Sequence, residues 1–174
     1  MLTFLKTLFQ PKQTNAALAW AAIQNKAGNK ATSGYWLYAA PVHLVLQRDS
    51  FSLGAPAPLT LEADEIQALT NALNLHFNQD TGENNVQFFW HENVWFLRLD
   101  TNPNITTNAP QAALNKDINA FLPKGEGAIK WAKFTNEVQM LLFEHPVNLA
   151  REANKQATIN SAWCYGLGKI EQVE

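Results

Sequence analysis

Sulfur chemistry is almost absent from this chain, which holds one cysteine, Cys164, beside two methionines. A single cysteine excludes an internal disulfide and any multi-cysteine zinc or iron–sulfur site. It fits a reducing compartment, so the cytoplasm is the expected address. Charge is scarce as well: 13 basic and 15 acidic residues leave a formal charge of −2. No field of one sign steers the protein toward phosphate backbones or anionic lipid, so neither nucleic acid nor a membrane surface is an expected partner. No stretch approaches the roughly 18 apolar residues of a membrane span. Met1 to Gln10 carries Leu2, Phe4, Leu5, Leu8 and Phe9 around Lys6. It lacks a continuous apolar run and a small-x-small cleavage site, and so reads as a short helix or strand docking on the body rather than an export signal. Repeats and low-complexity tracts are missing too.

What is present is apolar and aromatic. Hydrophobic residues make up 47% of 174 residues, with six tryptophans and ten phenylalanines. A chain of this length buries roughly 70% of its unfolded surface and needs no staple. The pattern predicts an N-terminal helical extension over 1–30, with a helix at Asn15 to Gln24, followed by a single domain over 31–174. Within that domain Gly34 to Tyr38 and Val42 to Gln47 read as two strands, or one bent at Pro41. Phe51 to Leu53 reads as a short strand, and the prolines at 56 and 58 mark a loop. Thr60 is the expected cap of a helix whose Ile66, Leu69, Leu73 and Phe77 recur at helical spacing. Val86 to Trp90 and Val94 to Leu99 flank a three-residue turn as a hairpin. A long helix over Ala128 to Phe143 presents Trp131, Phe134, Val138, Leu141 and Leu142 on one face. One or two further helical turns fall within Asn148 to Lys155, and a last strand within Ala162 to Tyr165. Hairpins with helices between them predict an α+β fold: a mixed, largely antiparallel sheet with packed helices.

Polar residues that invite a chemical reading cluster where the long helix breaks: His145-Pro146-Val147-Asn148, then Arg151, then Asn160-Ser161-Ala162-Trp163. As a site, Arg151 offers a planar donor fork for a carboxylate or phosphate, with His145, Asn148 and Asn160 completing a polar pocket. As structure, a histidine near a helix end is favoured by the dipole and asparagines bond backbone at turns. Both readings stand at this level. Lys124-Gly125-Glu126-Gly127 precedes a helix N-terminus, a place that attracts anions, but lacks the Gly-Lys-Ser/Thr of a P-loop and reads equally as a flexible turn. His43 is either a ligand contact or a partly buried structural histidine. His76 and His91 have no partner at metal-ligand spacing. Gly166-Leu167-Gly168 lacks the third glycine of a dinucleotide site and reads as the exit from the last strand. Cys164, in an apolar run with no basic neighbour, reads as an inert core thiol. Trp36, Phe88, Trp90, Trp95 and Phe96 read as core rather than a stacking platform, because no Arg or Lys is interleaved with them.

The motif set from Gly34 to Gly168, concentrated in Leu122 to Gly125, Glu137 to Arg151 and Asn160 to Gly168, resembles the C-terminal part of a bacterial family. That family is described as cofactor-independent phosphoglycerate mutases or as pathogenicity-cluster regulatory proteins of type E. More distantly it resembles the domain inserted into archaeal cofactor-independent phosphoglycerate mutases, through Leu-Pro-x-Gly-x-Gly-Ala at Leu122 to Ala128 and His-Pro-Val-Asn at His145 to Asn148. Related sequences carry Asp-Pro-Val-His where this chain has Ala40-Pro41-Val42-His43, which removes a carboxylate. The resemblance implies the insertion-domain fold and contacts to a small phosphorylated or carboxylate metabolite, a role that falls by position to Lys124, His145, Asn148 and Arg151.

It also implies what the chain lacks. The mutase core uses a serine nucleophile and two metals held by Asp and His, and here no Asp-Gly pair and no metal-spaced Asp/His set occurs. No catalytic residue, metal or cofactor is therefore expected. The leading expectation is a non-catalytic, stand-alone relative of the insertion domain acting as a regulatory or ligand-binding module. The alternatives are a divergent or split mutase completed by another chain, and a structural protein that meets a protein partner.

Overall fold

The computed structural model describes residues 15–79 and 85–173. The segment Met1 to Gln10, read above as a docking helix or strand, lies outside them. In chain order the elements are α1 (Ala16–Lys26), β1 (Gly34–Val42), β2 (Leu44–Leu46), β3 (Phe51–Leu53), α2 (Ala63–Asn78), β4 (Val86–His91) and β5 (Val94–Leu99). They continue with α3 (Pro110–Ala113), a 3₁₀ turn (Asn119–Phe121), α4 (Ala128–Phe143), α5 (Pro146–Ala153) and β6 (Ser161–Ile170). The fold is α+β. Four strands form one sheet in the order β4-β5-β1-β6, β2 and β3 form a separate two-stranded ladder, and every ladder is antiparallel. Among the described residues the parallel component is a single bridge, Leu53 with Leu114.

Strand alternation places one set of side chains on each sheet face. Leu37, Phe88, Trp95 and Leu97 point toward α2 and α4, where they join Ile66, Leu69, Leu73, Val138 and Leu142. Trp36 and Phe96 point the other way, onto α1. Trp20 of α1 stacks on Trp36 with ring centroids 5.1 Å apart. The described part of the N-terminal extension is thus seated on the sheet by an aromatic contact. Trp36, Trp95 and Phe96 are essentially inaccessible to solvent. Burying such rings contributes up to about 4–6 kcal/mol each as transferred area, an upper bound for a fully extended unfolded chain. A third cluster, built on Val42, Leu44, Leu53, Ile118 and Trp163, closes the end of the sheet next to β2 and β3.

Three expectations change. β1 is one strand running through Pro41. Its pairing with β5 ends at Tyr38 while β6 continues to Val42, so Pro41 lies where one side of β1 is an edge and its missing N–H costs no ladder bond. Thr60 is not the cap of α2. The cap is Glu62, whose backbone N–H is met by the Glu65 carboxylate at 2.9 Å, because Leu59 and Leu61 are buried and hold the chain extended past Thr60. Gly166-Leu167-Gly168 lies inside β6 rather than beyond it. Gly166 has φ +71° at a register shift, and a Cβ there would come within 2.8 Å of the Tyr38 ring. The glycine thus permits the bulge that lets β6 run on to Ile170.

Among the described residues no helix is long and apolar enough to cross a membrane.

Candidate functional site

Five of the six residues singled out from the sequence gather around the junction of α4, α5 and β6. Four of these act on one short segment, residues 157–160, that leads into β6. Asn148, 3% exposed, donates from Nδ2 to the backbone oxygens of Leu142 and Ile159, both at 2.7 Å, and accepts from the Ile159 N–H at 2.8 Å. One amide therefore ties the end of α4 to the start of the last strand and pairs the Ile159 N–H and carbonyl, which burial would otherwise leave without partners. Arg151, 8% exposed, donates from Nε to the Ala157 oxygen at 2.7 Å. His43 Nδ1 lies 2.9 Å from the Thr158 carbonyl. A carbonyl can only accept, so the proton sits on Nδ1. Asn160 mimics a strand neighbour for Leu44, accepting from its N–H at 2.7 Å and donating to its carbonyl at 2.8 Å.

The donor fork expected of Arg151 does hold a carboxylate, but it is the chain's own. Nη1 reaches both oxygens of Glu65, at 2.9 and 3.1 Å. Glu65 belongs to the capping box of α2, so one carboxylate closes a helix N-terminus and docks α5 to α2. Both side chains are largely shielded from water, which strengthens the pair while making each partner depend on the other. The sequence already places Glu65 in the first turn of α2; a contact with Arg151, 86 residues away, has no local signature.

His145 caps α5. Its Nδ1 accepts from the Val147 N–H at 3.1 Å, and Pro146 occupies the first helical position. Burial lowers its pKa below 6.5, and a hydrogen bond with the Ala68 backbone opposes that shift only in part. Lys124 stands apart from this group. It is exposed, and its backbone pairs with Thr106, at 2.7 and 3.0 Å. The glycines after it serve close packing: the Gly127 N–H donates to the Asn104 carbonyl, and a Cβ at Gly125 would meet that same carbonyl at 2.8 Å. His76 forms an exposed pair with Glu137 at 2.6 Å, and His91 ends β4.

A concave feature lies nearby, between α4 and β6, as a cavity of about 290 Å³. Ala128, Ala132, Thr135 and Gln139 form its α4 wall, and Ser161 to Cys164 form the opposite side. Phe51, Phe121 and Trp131 add aromatic surface. Trp163 is held by its indole N–H, which donates to the Asn108 carbonyl at 2.7 Å. Gln139 Nε2 donates to Ser161 Oγ at 3.1 Å, joining α4 to the start of β6 at the cavity wall. Among the described residues no Asp, Glu, Lys, Arg or His side chain lines it. Cys164 contributes a thiol that burial pushes up to about 12, so it carries no thiolate at neutral pH. Sequence reading missed this cleft, although its signal was present: small or polar residues at 128, 132, 135 and 139 recur on the side of α4 that its bulky apolar residues leave bare. Among the described residues no three His, Cys, Asp or Glu side chains come together in a way that could hold a metal ion.

No family model and no curated protein matches this chain. Among solved structures, a cofactor-independent phosphoglycerate mutase from Thermoplasma acidophilum DSM 1728 is similar with a TM-score of 0.55 and 16% sequence identity. The match covers 84% of this chain and 40% of that one, so the chain spans well under half the length of that protein. The likeness is one of fold: this α+β chain is similar in structure to a part of a phosphoglycerate mutase.

Proposed function

We propose that the chain is a non-catalytic relative of that part of the mutase, working as a small-molecule-binding module of a regulatory kind, with the α4–β6 cleft as its site. The observation that carries this reading is the cleft itself: a concave, largely apolar cavity with a few polar groups converging on it, as ligand sites usually are. On this reading Lys124, His145, Asn148, Arg151, Asn160 and His43 are not ligand contacts. The five near the junction hold α5 and the start of β6 in place, and so fix the wall that Ser161 to Cys164 present to the cleft. The small phosphorylated or carboxylate metabolite implied by the sequence resemblance is not part of this reading, because Arg151 holds Glu65 and no cationic side chain among the described residues lines the cleft.

A thermal-shift screen of the full chain against phosphorylated acids, carboxylates and neutral heterocycles tests the module. Ligands that raise Tm in wild type should lose that effect in Ala132→Trp, which puts an indole into the cleft from an exposed position on α4. If the shift survives in that variant, the cleft is not the site.

The partial span of the structural match favours one alternative, a split mutase completed by a second chain. The purified chain alone should show no turnover of 3-phosphoglycerate with manganese present. Robust turnover abolished by a chelator would overturn the non-catalytic reading.

A further inference from the structure

We infer that the cleft takes a neutral, planar molecule with one adjacent acceptor–donor pair, such as a lactam or carboxamide on a one- or two-ring aromatic body. The inference rests on the α4–β6 cleft being a binding site, and goes beyond it by naming the ligand's chemistry.

Size sets the first limit. A cavity of about 290 Å³ lies at the lower end of the usual size of small-molecule sites, which suits a small bicyclic molecule. Charge sets the second limit. Among the described residues the polar side chains lining it are Ser, Thr, Asn and Gln, all neutral. An anion placed among them would give up its hydration with no countercharge in return. The walls set the third. The Trp131 and Trp163 indoles are both more than nine-tenths buried, and the bond from Trp163 to Asn108 fixes the orientation of its ring. Fixed aromatic walls favour a flat ring over a flexible chain.

The polar handle is the Gln139–Ser161 pair. Ser161 is 3% exposed, and its Oγ accepts from Gln139 Nε2. Its own hydroxyl hydrogen has no acceptor among the described residues, and Gln139 Oε1 has no donor there. A buried hydroxyl that accepts without donating is an incomplete arrangement in a folded protein. Together the two side chains present one donor and one acceptor side by side at the cavity wall. A cis-amide edge, C=O beside N–H, complements that pair: its carbonyl accepts from Ser161 and its N–H donates to Gln139.

Titration calorimetry on the full chain with three probes tests this: quinolin-2-one, naphthalene-2-carboxylate and 3-phosphoglycerate. Quinolin-2-one should bind saturably. The carboxylate, of similar size and flatness, should bind at least about tenfold more weakly, and 3-phosphoglycerate more weakly still. Ser161→Ala should weaken quinolin-2-one by roughly three- to tenfold, the loss of one hydrogen bond. Ala132→Trp, which leaves Ser161 and the core intact, should abolish binding, and its melting temperature reports whether it is folded. Binding of either anion as tightly as the lactam, lost in Ala132→Trp, would overturn the ligand class and leave the module reading standing. Lactam binding insensitive to both variants would overturn the assigned site. Absence of saturable binding by all three probes, in a wild-type chain that melts cooperatively, would remove both readings together.

Discussion

Two neighbouring regions at the end of the chain use polar side chains in opposite ways. At the α4–α5–β6 junction, Asn148, Asn160 and Arg151 are closed in on backbone groups and on Glu65. In the cleft a few residues away, the Ser161 and Gln139 side chains bond each other and no further group among the described residues. The residues that look most like chemistry in the sequence are the ones most fully absorbed by the fold, whereas the unremarkable serine and glutamine remain available. The physical reason is burial. A strongly polar group such as guanidinium or amide enters an interior only when its partners come with it, so its presence in a core is evidence of internal pairing before it is evidence of a ligand.

The comparison is broken most directly at Asn148. Asn148→Leu keeps the branched shape but leaves the buried Ile159 N–H and carbonyl without their partner, while the Leu142 carbonyl keeps the His145 N–H, and should cost about 3 kcal/mol. The midpoint of urea unfolding reads this directly. A loss below about 1 kcal/mol would show that the junction is looser than its hydrogen bonds indicate.

Arg151→Met comes next, at about 2 kcal/mol. It strands the Glu65 carboxylate, but that group keeps some contact with water and its capping role, so the loss falls below the range for a fully buried pair. Glu65→Gln in the Arg151→Met background should recover part of the loss, because the remaining side chain no longer carries a charge. A double mutant less stable than Arg151→Met would count against the ion pair as the cause.

A smaller effect depends on pH. His145 caps α5 through an Nδ1 lone pair, and its folded pKa lies below the value of 6.5 that it regains on unfolding. Its contribution is therefore fully present above pH 6.5 and is lost as pH falls through the lower folded value. Unfolding midpoints should fall on acidification below pH 6.5. His145→Asn, which caps a helix without titrating there, should flatten that part of the profile. An unchanged slope in the variant would assign the acid sensitivity to other groups.

The smallest effect on stability should come from the cleft. Ala132→Trp, at an exposed helical position, should stay within about 0.5 kcal/mol of wild type. A large destabilisation there would mean that the cleft is part of the packed core, and the contrast between the two regions would disappear.

The boundaries of α4, at Ala128 and Phe143, were legible because a glycine-rich turn precedes it, a proline follows it, and apolar residues repeat at helical spacing between. The hairpin of β4 and β5 was legible for the same kind of reason: short-range alternation around a polar turn. The cap of α2 was not, because Thr60 is of the favoured cap type and Glu62 is not, and burial of Leu59 and Leu61 overrode that preference. The end of β6 was hidden because glycines usually mark a strand's exit, and only the Tyr38 ring on the neighbouring strand explains a glycine within it. For the candidate site, the sequence singled out a true cluster at the junction, since rare polar types stand out in an apolar background. It could not show what they bond to.

Composition and periodicity alone determined an aromatic-cored α+β chain with a long helix after Lys124-Gly125, because hydrophobic spacing and turn residues act through neighbours within a few positions. Only the tertiary structure decided that Arg151 meets Glu65, that four polar side chains hold residues 157–160, and that α4 and β6 leave a neutral cleft between them. Those outcomes depend on contacts between residues up to 116 positions apart, and local sequence carries no record of which distant partner burial will select.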